Sequence, residues 1–97
     1  MDYKNLGRSG LQVSVVGLGC NNFGMRCDYD QSEKVVHAAI DAGITLFDTA
    51  DVYGGQGKSE EFLGRILKGK RDSVLVATKW GMKMGDGPHK SGGSRKY

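Results

Sequence analysis

The sequence predicts an α/β fold: the N-terminal part of a (β/α)8 TIM barrel, with a β-hairpin ahead of about three of its eight βα units. Three observations carry this reading. Apolar segments alternate strand, helix, strand, helix, strand with a repeat of about thirty residues, the period of a right-handed parallel crossover. A glycine-turned hairpin precedes the first of these strands. Reactive polar side chains follow successive strands at their C-terminal ends, where barrel active sites gather. The hairpin and those residues favour the barrel over the open doubly wound sheet, which shares the alternation.

Taken in order, Tyr3 to Leu6 and Gln12 to Val15 pair across Gly7-Arg8-Ser9-Gly10, whose glycines supply the turn. Val15-Val16-Gly17-Leu18-Gly19 reads as a buried strand because its apolar residues are continuous. Asp30-Gln31-Ser32-Glu33 has the form of a capping box, and Val35, Val36, Ala39 and Ile40 recur at helical spacing. Gly43 closes the helix in a left-handed conformation, so the helix spans 31–42. Ile44 to Phe47 is the second strand, with Asp48 at its end. Ser59 caps a second helix whose buried stripe is Phe62, Leu63, Ile66 and Leu67, and Gly69 ends it. Ser73 to Thr78 is the third buried strand and delivers Lys79. The tail, 81–97, is Gly-rich and basic and reads as a mobile loop, with Ser94 as the N-cap of a further helix.

Ninety-seven residues suit one small domain, but a hydrophobic fraction of 38% and sixteen glycines against one proline imply a thin core with many loops. A complete barrel takes about 250 residues. The whole chain, 1–97, therefore reads as a truncated N-terminal segment, its sheet edges unpaired and open to self-association. The net charge of +3 is divided between a helix flank and the tail. Without interleaved aromatic residues it does not describe a nucleic-acid surface. Neither a secretory h-region nor an apolar run of about eighteen residues is present, so a cytoplasmic protein without a membrane span is expected. Cys20 and Cys27 match neither zinc-ligand nor Cys-x-x-Cys spacing and read as reduced thiols.

Asp48 follows an apolar strand, where a carboxylate is costly unless paired. A capping role is the plain alternative for an aspartate there. Lys79 also ends a strand, and neighbouring strands lie about 4.8 Å apart, so the two can pair as buried charges. Tyr53, in the loop after Asp48, would by itself be a packing aromatic. A free phenol, with a pKa of about 10, holds its proton at neutral pH, and a nearby ammonium favours the phenolate. Carboxylate, phenol and ammonium together can deliver a proton to a carbonyl oxygen while a cofactor supplies hydride; no metal is needed.

Two glycine patterns are set aside. Gly17-Leu18-Gly19-Cys20-Asn21-Asn22 begins like a dinucleotide fingerprint but has asparagine where the last glycine belongs. Gly54-Gly55-Gln56-Gly57-Lys58-Ser59 lacks the four-residue gap of a phosphate loop.

The run Phe47-Asp48-Thr49-Ala50-Asp51-Val52-Tyr53-Gly54, the later Thr78-Lys79-Trp80 and the opening Leu6-Gly7-Arg8-Ser9-Gly10-Leu11-Gln12-Val13-Ser14 together resemble the aldo-keto reductases. The resemblance implies an NADP(H)-dependent enzyme that interconverts small carbonyl compounds and alcohols. Asp48, Tyr53 and Lys79 would be three members of its catalytic tetrad: the tyrosine as general acid, the lysine easing its ionisation, the aspartate holding the lysine. Gly19, Cys20 and Asn21, with Asp48, would touch the nicotinamide end of the cofactor, and Asn22 and Phe23 would join the substrate pocket. The family's fourth tetrad member is a histidine after a fourth strand. His37, within a helix, and His89, in the tail, do not fit it. The family's main phosphate sites also lie beyond Tyr97, so these residues alone are expected to be inactive. The opening Leu6-Gly7-Arg8-Ser9-Gly10-Leu11 and the Asp48-Thr49-Ala50 run also resemble the cytosolic auxiliary subunits of potassium channels, which implies an interaction module as the alternative.

Overall fold

The computed structural model describes all residues, Met1–Tyr97. Strands β1 (Tyr3–Asn5) and β2 (Gln12–Ser14) form an antiparallel hairpin in the register Tyr3↔Ser14. Its turn uses positive φ at Gly7 and Gly10, and Leu6 N–H closes it onto Leu11 O at 2.8 Å. Ser14 and Thr45 then exchange backbone-to-hydroxyl hydrogen bonds at 3.0 and 2.9 Å. Thr45 precedes the second parallel strand, so the hairpin is fixed at the N-terminal end of the sheet.

That sheet consists of β3 (Gly17–Gly19), β4 (Leu46–Asp48) and β5 (Leu75–Ala77), all parallel in the order β3-β4-β5. Helix α1 (Tyr29–Asp41) connects β3 to β4, and α2 (Tyr53–Ile66) with a 3-10 turn at Arg71–Ser73 connects β4 to β5. The register Gly19↔Asp48↔Ala77 sets the C-terminal strand ends in one row. Side chains alternate across the sheet. Phe47, completely buried, faces the helices, and Leu18 and Val76 in register with it pack on the same core with Val36, Ala39, Leu63, Ile66 and Leu67. Gly17, Gly19, Leu46, Asp48, Leu75 and Ala77 consequently face the other way, where no helix lies.

The open second face explains two departures from the sequence reading. Val15 and Val16 are 51% and 50% exposed and precede β3 rather than beginning a buried strand. In the third segment Ser73 belongs to the 3-10 turn and Thr78 lies past β5, whose residues are only partly covered. Continuous apolar runs signal strands buried on both faces; here helices cover one face. The outer edges of β3 and β5 are unpaired, and the sheet does not close into a barrel.

Helix α1 begins two residues earlier than expected. The capping box is Asp28 with Gln31, not Asp30 with Glu33: Gln31 N–H bonds Asp28 Oδ1 at 2.9 Å, and Asp28 N–H bonds Gln31 Oε1 at 3.0 Å. A glutamine serves the reciprocal bond as well as a glutamate. Gly43, at φ +92, follows the helix as expected. Between the helices, Tyr29 meets Phe62 edge-on at 5.3 Å while the Arg65 guanidinium lies 3.9 Å over the Tyr29 ring.

The start of α2 is unusual. Gly54, Gly55, Gln56 and Gly57 all have positive φ, so the right-handed run begins only at Lys58. Ser59 does not cap it, its hydroxyl being turned to Cys20 O and Thr49 Oγ1. Residues 81–97 contain no helix or strand; Met84 N–H to Lys90 O and Gly92 N–H to Gly81 O, both 2.8 Å, fold the segment back on itself. Ser94 Oγ accepts the Tyr97 N–H at 3.1 Å, the bond of an N-cap to the third helical residue.

Candidate active site

Asp48, on the helix-free face at the end of β4, stands beside the row that β5 continues through Ala77. Pairing persists past the strands: Thr49 N–H bonds Ala77 O at 2.8 Å and Asp51 N–H bonds Lys79 O at 3.2 Å. Two residues beyond Ala77, the strand period returns Lys79 to the face of Asp48.

There the Lys79 ammonium donates to both Asp48 carboxylate oxygens at 2.9 Å and to Thr49 O at 2.9 Å. Its Nζ also lies 3.4 Å from the Tyr53 phenolic oxygen and 5.0 Å from the ring centroid. The hydrogen bond that Lys79 donates to Asp48 is the main cause that raises the Lys79 pKa above its ordinary value, with a smaller push from Tyr53. The pair is not buried as the sequence reading expected: both side chains are 49% exposed, because the face that carries them is uncovered.

Behind this cluster lies a polar pin that the sequence reading missed. Ser59 is completely buried; its Oγ donates to the Cys20 carbonyl at 2.7 Å and lies 2.8 Å from Thr49 Oγ1. A hydroxyl carries one proton, so with Ser59 donating to Cys20, Thr49 must donate to Ser59. Cys20 N–H in turn bonds Asp48 O at 2.8 Å. The ends of β3 and β4 and the first right-handed turn of α2 are thereby fixed to one another. A polar residue opening a helix is read from sequence as a cap; the only hint of its burial was a small hydroxyl beside the apolar stripe.

Gly19 and Asn21 are exposed, and Gly19 is in register with Asp48. Cys20 is different. Its thiol is completely buried in the core, its N–H and C=O are both used internally, and burial followed by the Asp48 charge pushes its pKa up to about 12. It presents no side chain to a ligand at this face. Phe23, expected in a substrate pocket, is likewise a core residue at 3% exposure, because its ring fills the space beneath the loop. Asn22 remains exposed, its carbonyl accepting the Met25 and Cys27 N–H groups. His37 sits on α1 with its Nε2 3.3 Å from Lys70 Nζ, away from the cluster, and both cysteines are free. No helix is long and apolar enough to cross a membrane.

Chemically, the arrangement offers a half-buried phenol whose oxygen receives an ammonium hydrogen bond, the ammonium being held by a carboxylate and a carbonyl. The chain is 42% identical to a probable voltage-gated potassium channel subunit beta from Oryza sativa subsp. japonica and 41% identical to the L-glyceraldehyde 3-phosphate reductase of Escherichia coli, in each case over its full length and 30% of the relative's. In three dimensions it matches aldo-keto reductase AKR11C1 from Bacillus halodurans with a TM-score of 0.81 and 36% identity, over 94% of this chain and 30% of that one. The chain thus spans about a third of the length of the relatives it matches. Residues 15–97 fit the model of the aldo/keto reductase family, and the chain belongs to that family.

Proposed function

We propose that these residues form the proton-donating portion of an NADP(H)-dependent carbonyl reductase, and that they are the N-terminal units of a (β/α)8 barrel. The observation that carries the reading is the Lys79 ammonium between Asp48 and Tyr53. Tyr53 donates its proton to the oxygen of a small-molecule carbonyl. Lys79 stabilises the negative charge left on the phenolic oxygen, and Asp48 with Thr49 O keeps the ammonium in place.

Gly19 and Asn21, with Asp48, are the residues that would border the nicotinamide end of NADP(H), which when bound supplies a hydride. The fit is to that end alone: the Gly19 Cα side is open, a Cβ there meeting only Asn21 Oδ1 at 3.8 Å. Cys20 contributes spacing rather than contact.

The channel-subunit relative supports a second reading, an interaction module on the same fold, since the two kinds of relative are about equally similar. One experiment separates them: exchange these residues for the corresponding third of the Escherichia coli reductase and follow aldehyde-dependent NADPH oxidation. Turnover by the chimera that disappears with Tyr53→Phe supports the reductase; a folded chimera that binds NADPH without turnover favours the module.

A further inference from the structure

Asp51 lies between Asp48 and Tyr53 in sequence and is held by its own N–H to Lys79 O, yet it takes no part in the cluster. Its Oδ1 is the chain's one buried side-chain oxygen or nitrogen without a hydrogen-bond partner. The ion pairs of the chain, Lys79 with Asp48 and Lys83 with Asp86, do not include it. Carboxylate oxygens withdrawn from water normally have donors, and an orphan calls for a specific reason. Asp51 also lines a cavity of about 580 Å³ with Trp80, Met84 and Tyr97, within the range of about 300–1,000 Å³ typical of small-molecule sites.

We propose that this cavity binds an organic cation: a primary ammonium on an apolar body. The ammonium pairs with the Asp51 carboxylate, which no cationic side chain of this chain neutralises, a charge-assisted pairing stronger than a neutral one. Trp80 is 70% exposed, a large ring left for a ligand to cover, and the faces of Trp80 and Tyr97 attract a cation as well as an apolar body. Met84 adds an adaptable apolar wall. An anion finds no such match, since the carboxylate repels it. Lys79 and Lys83 are engaged with other aspartates, Asp48 and Asp86.

Trp80 is the chain's one tryptophan and therefore reports on its own site. Phenethylammonium, 2-phenylethanol and phenylacetate, which share a ring and chain but differ in charge, are titrated against the protein while Trp80 emission is followed. The cation should give a saturable change, the alcohol at least tenfold weaker binding and phenylacetate none. Asp51→Asn should reduce the tenfold preference for the cation over the alcohol to near equality while the circular dichroism spectrum is unchanged. Equal binding of all three compounds, no saturable response to the cation, or a preference intact in Asp51→Asn would overturn the proposal. Should Asp51→Asn unfold, the cation-to-alcohol ratio of the unaltered protein, repeated by ligand-observed NMR, decides alone. Neither cofactor nor turnover enters the measurement, so its outcome is independent of the reductase reading.

Discussion

Ser59 Oγ donates to the Cys20 carbonyl at 2.7 Å across 39 residues of sequence, both groups buried. It joins the end of β3 to the first right-handed turn of α2, with Thr49 on its other side. Ser59→Ala leaves the Cys20 carbonyl and the Thr49 hydroxyl unpaired at once, a cost of about 2–3 kcal/mol. Ser73→Ala, at an exposed site bonded only to Lys70 O, serves as the control and should cost under about 0.5 kcal/mol. Urea unfolding of the two variants checks the difference; equal losses would show that the pin contributes nothing special.

Gly54 and Gly55 offer a sharper comparison, because both have φ near +75° and differ in surroundings. A Cβ on Gly54 would lie 2.3 Å from Phe23 O and 2.9 Å from Ser59 N, whereas one on Gly55 meets nothing within 4 Å. Gly55→Ala should therefore cost about 1 kcal/mol, the left-handed penalty alone. Gly54→Ala adds a backbone collision and should cost several times that, read as the drop in urea midpoint.

The alternation of elements and the meeting of Asp48 with Lys79 were legible in the sequence because each rests on local pattern: periodicity for the helices, chain position for strand ends. Other features were not. The exposure of Val15, Val16 and Lys79 depends on what covers the second sheet face, which a local run of apolar residues does not reveal. Ser59 looked like a cap because Ser before Glu-Glu is a cap pattern, whereas its burial is decided by Cys20, far away in sequence. The shift of the capping box from Asp30 to Asp28 reflects two aspartates competing for one role, settled by where Tyr29 and the Ser32 hydroxyl pack.

Alkaline pH should weaken the fold in two stages. For Cys20, raised from 9.0 to about 12 by burial, the unfolded chain loses its thiol proton first, so stability falls as pH rises between those values. The full linkage is on the order of 4 kcal/mol. Lys79, also raised, contributes stability that is complete below its ordinary 10.5 and lost as pH climbs through the folded value. Cys20→Ala should flatten the loss between pH 9 and 10.5 and leave above it only the part that Lys79 contributes. Chemical denaturation across that range tests both signs.

In the reductase chimera, Lys79→Met should lower kcat about 10²-fold or more, and Tyr53→Phe should lower it about 10²–10⁴-fold, the usual range for a lost proton donor. NADPH affinity should change little in either, since neither side chain is assigned to hold it. Asp48→Asn removes the negative partner but keeps an acceptor for Lys79, so its loss should be the smallest of the three. Stopped-flow single turnovers and fluorescence titration separate the chemical step from binding; equal kcat losses for Asp48→Asn and Tyr53→Phe would contradict the assigned roles.

The 97 residues by themselves should neither bind NADPH at micromolar concentration nor oxidise it in the presence of an aldehyde. Their cluster is 49% exposed where a water-excluding site is required for electrostatic stabilisation to be strong. The same open geometry predicts association. Leu75 N–H and Ala77 C=O point toward β4, so Val76 must turn its N–H and C=O outward. On the opposite edge Cys20 N–H points inward to Asp48 O, which leaves Gly19 facing out. A β5 edge of one copy can continue the β3 edge of another with all strands parallel and the helices on one face, a head-to-tail contact that extends the sheet. Sedimentation velocity should show mass increasing with concentration. Gly19→Lys, which places a charge on the free edge where a Cβ is tolerated, should suppress it. A monomer at all concentrations, or NADPH oxidation by material of verified mass, would show that the open sheet is not the limiting feature of this chain.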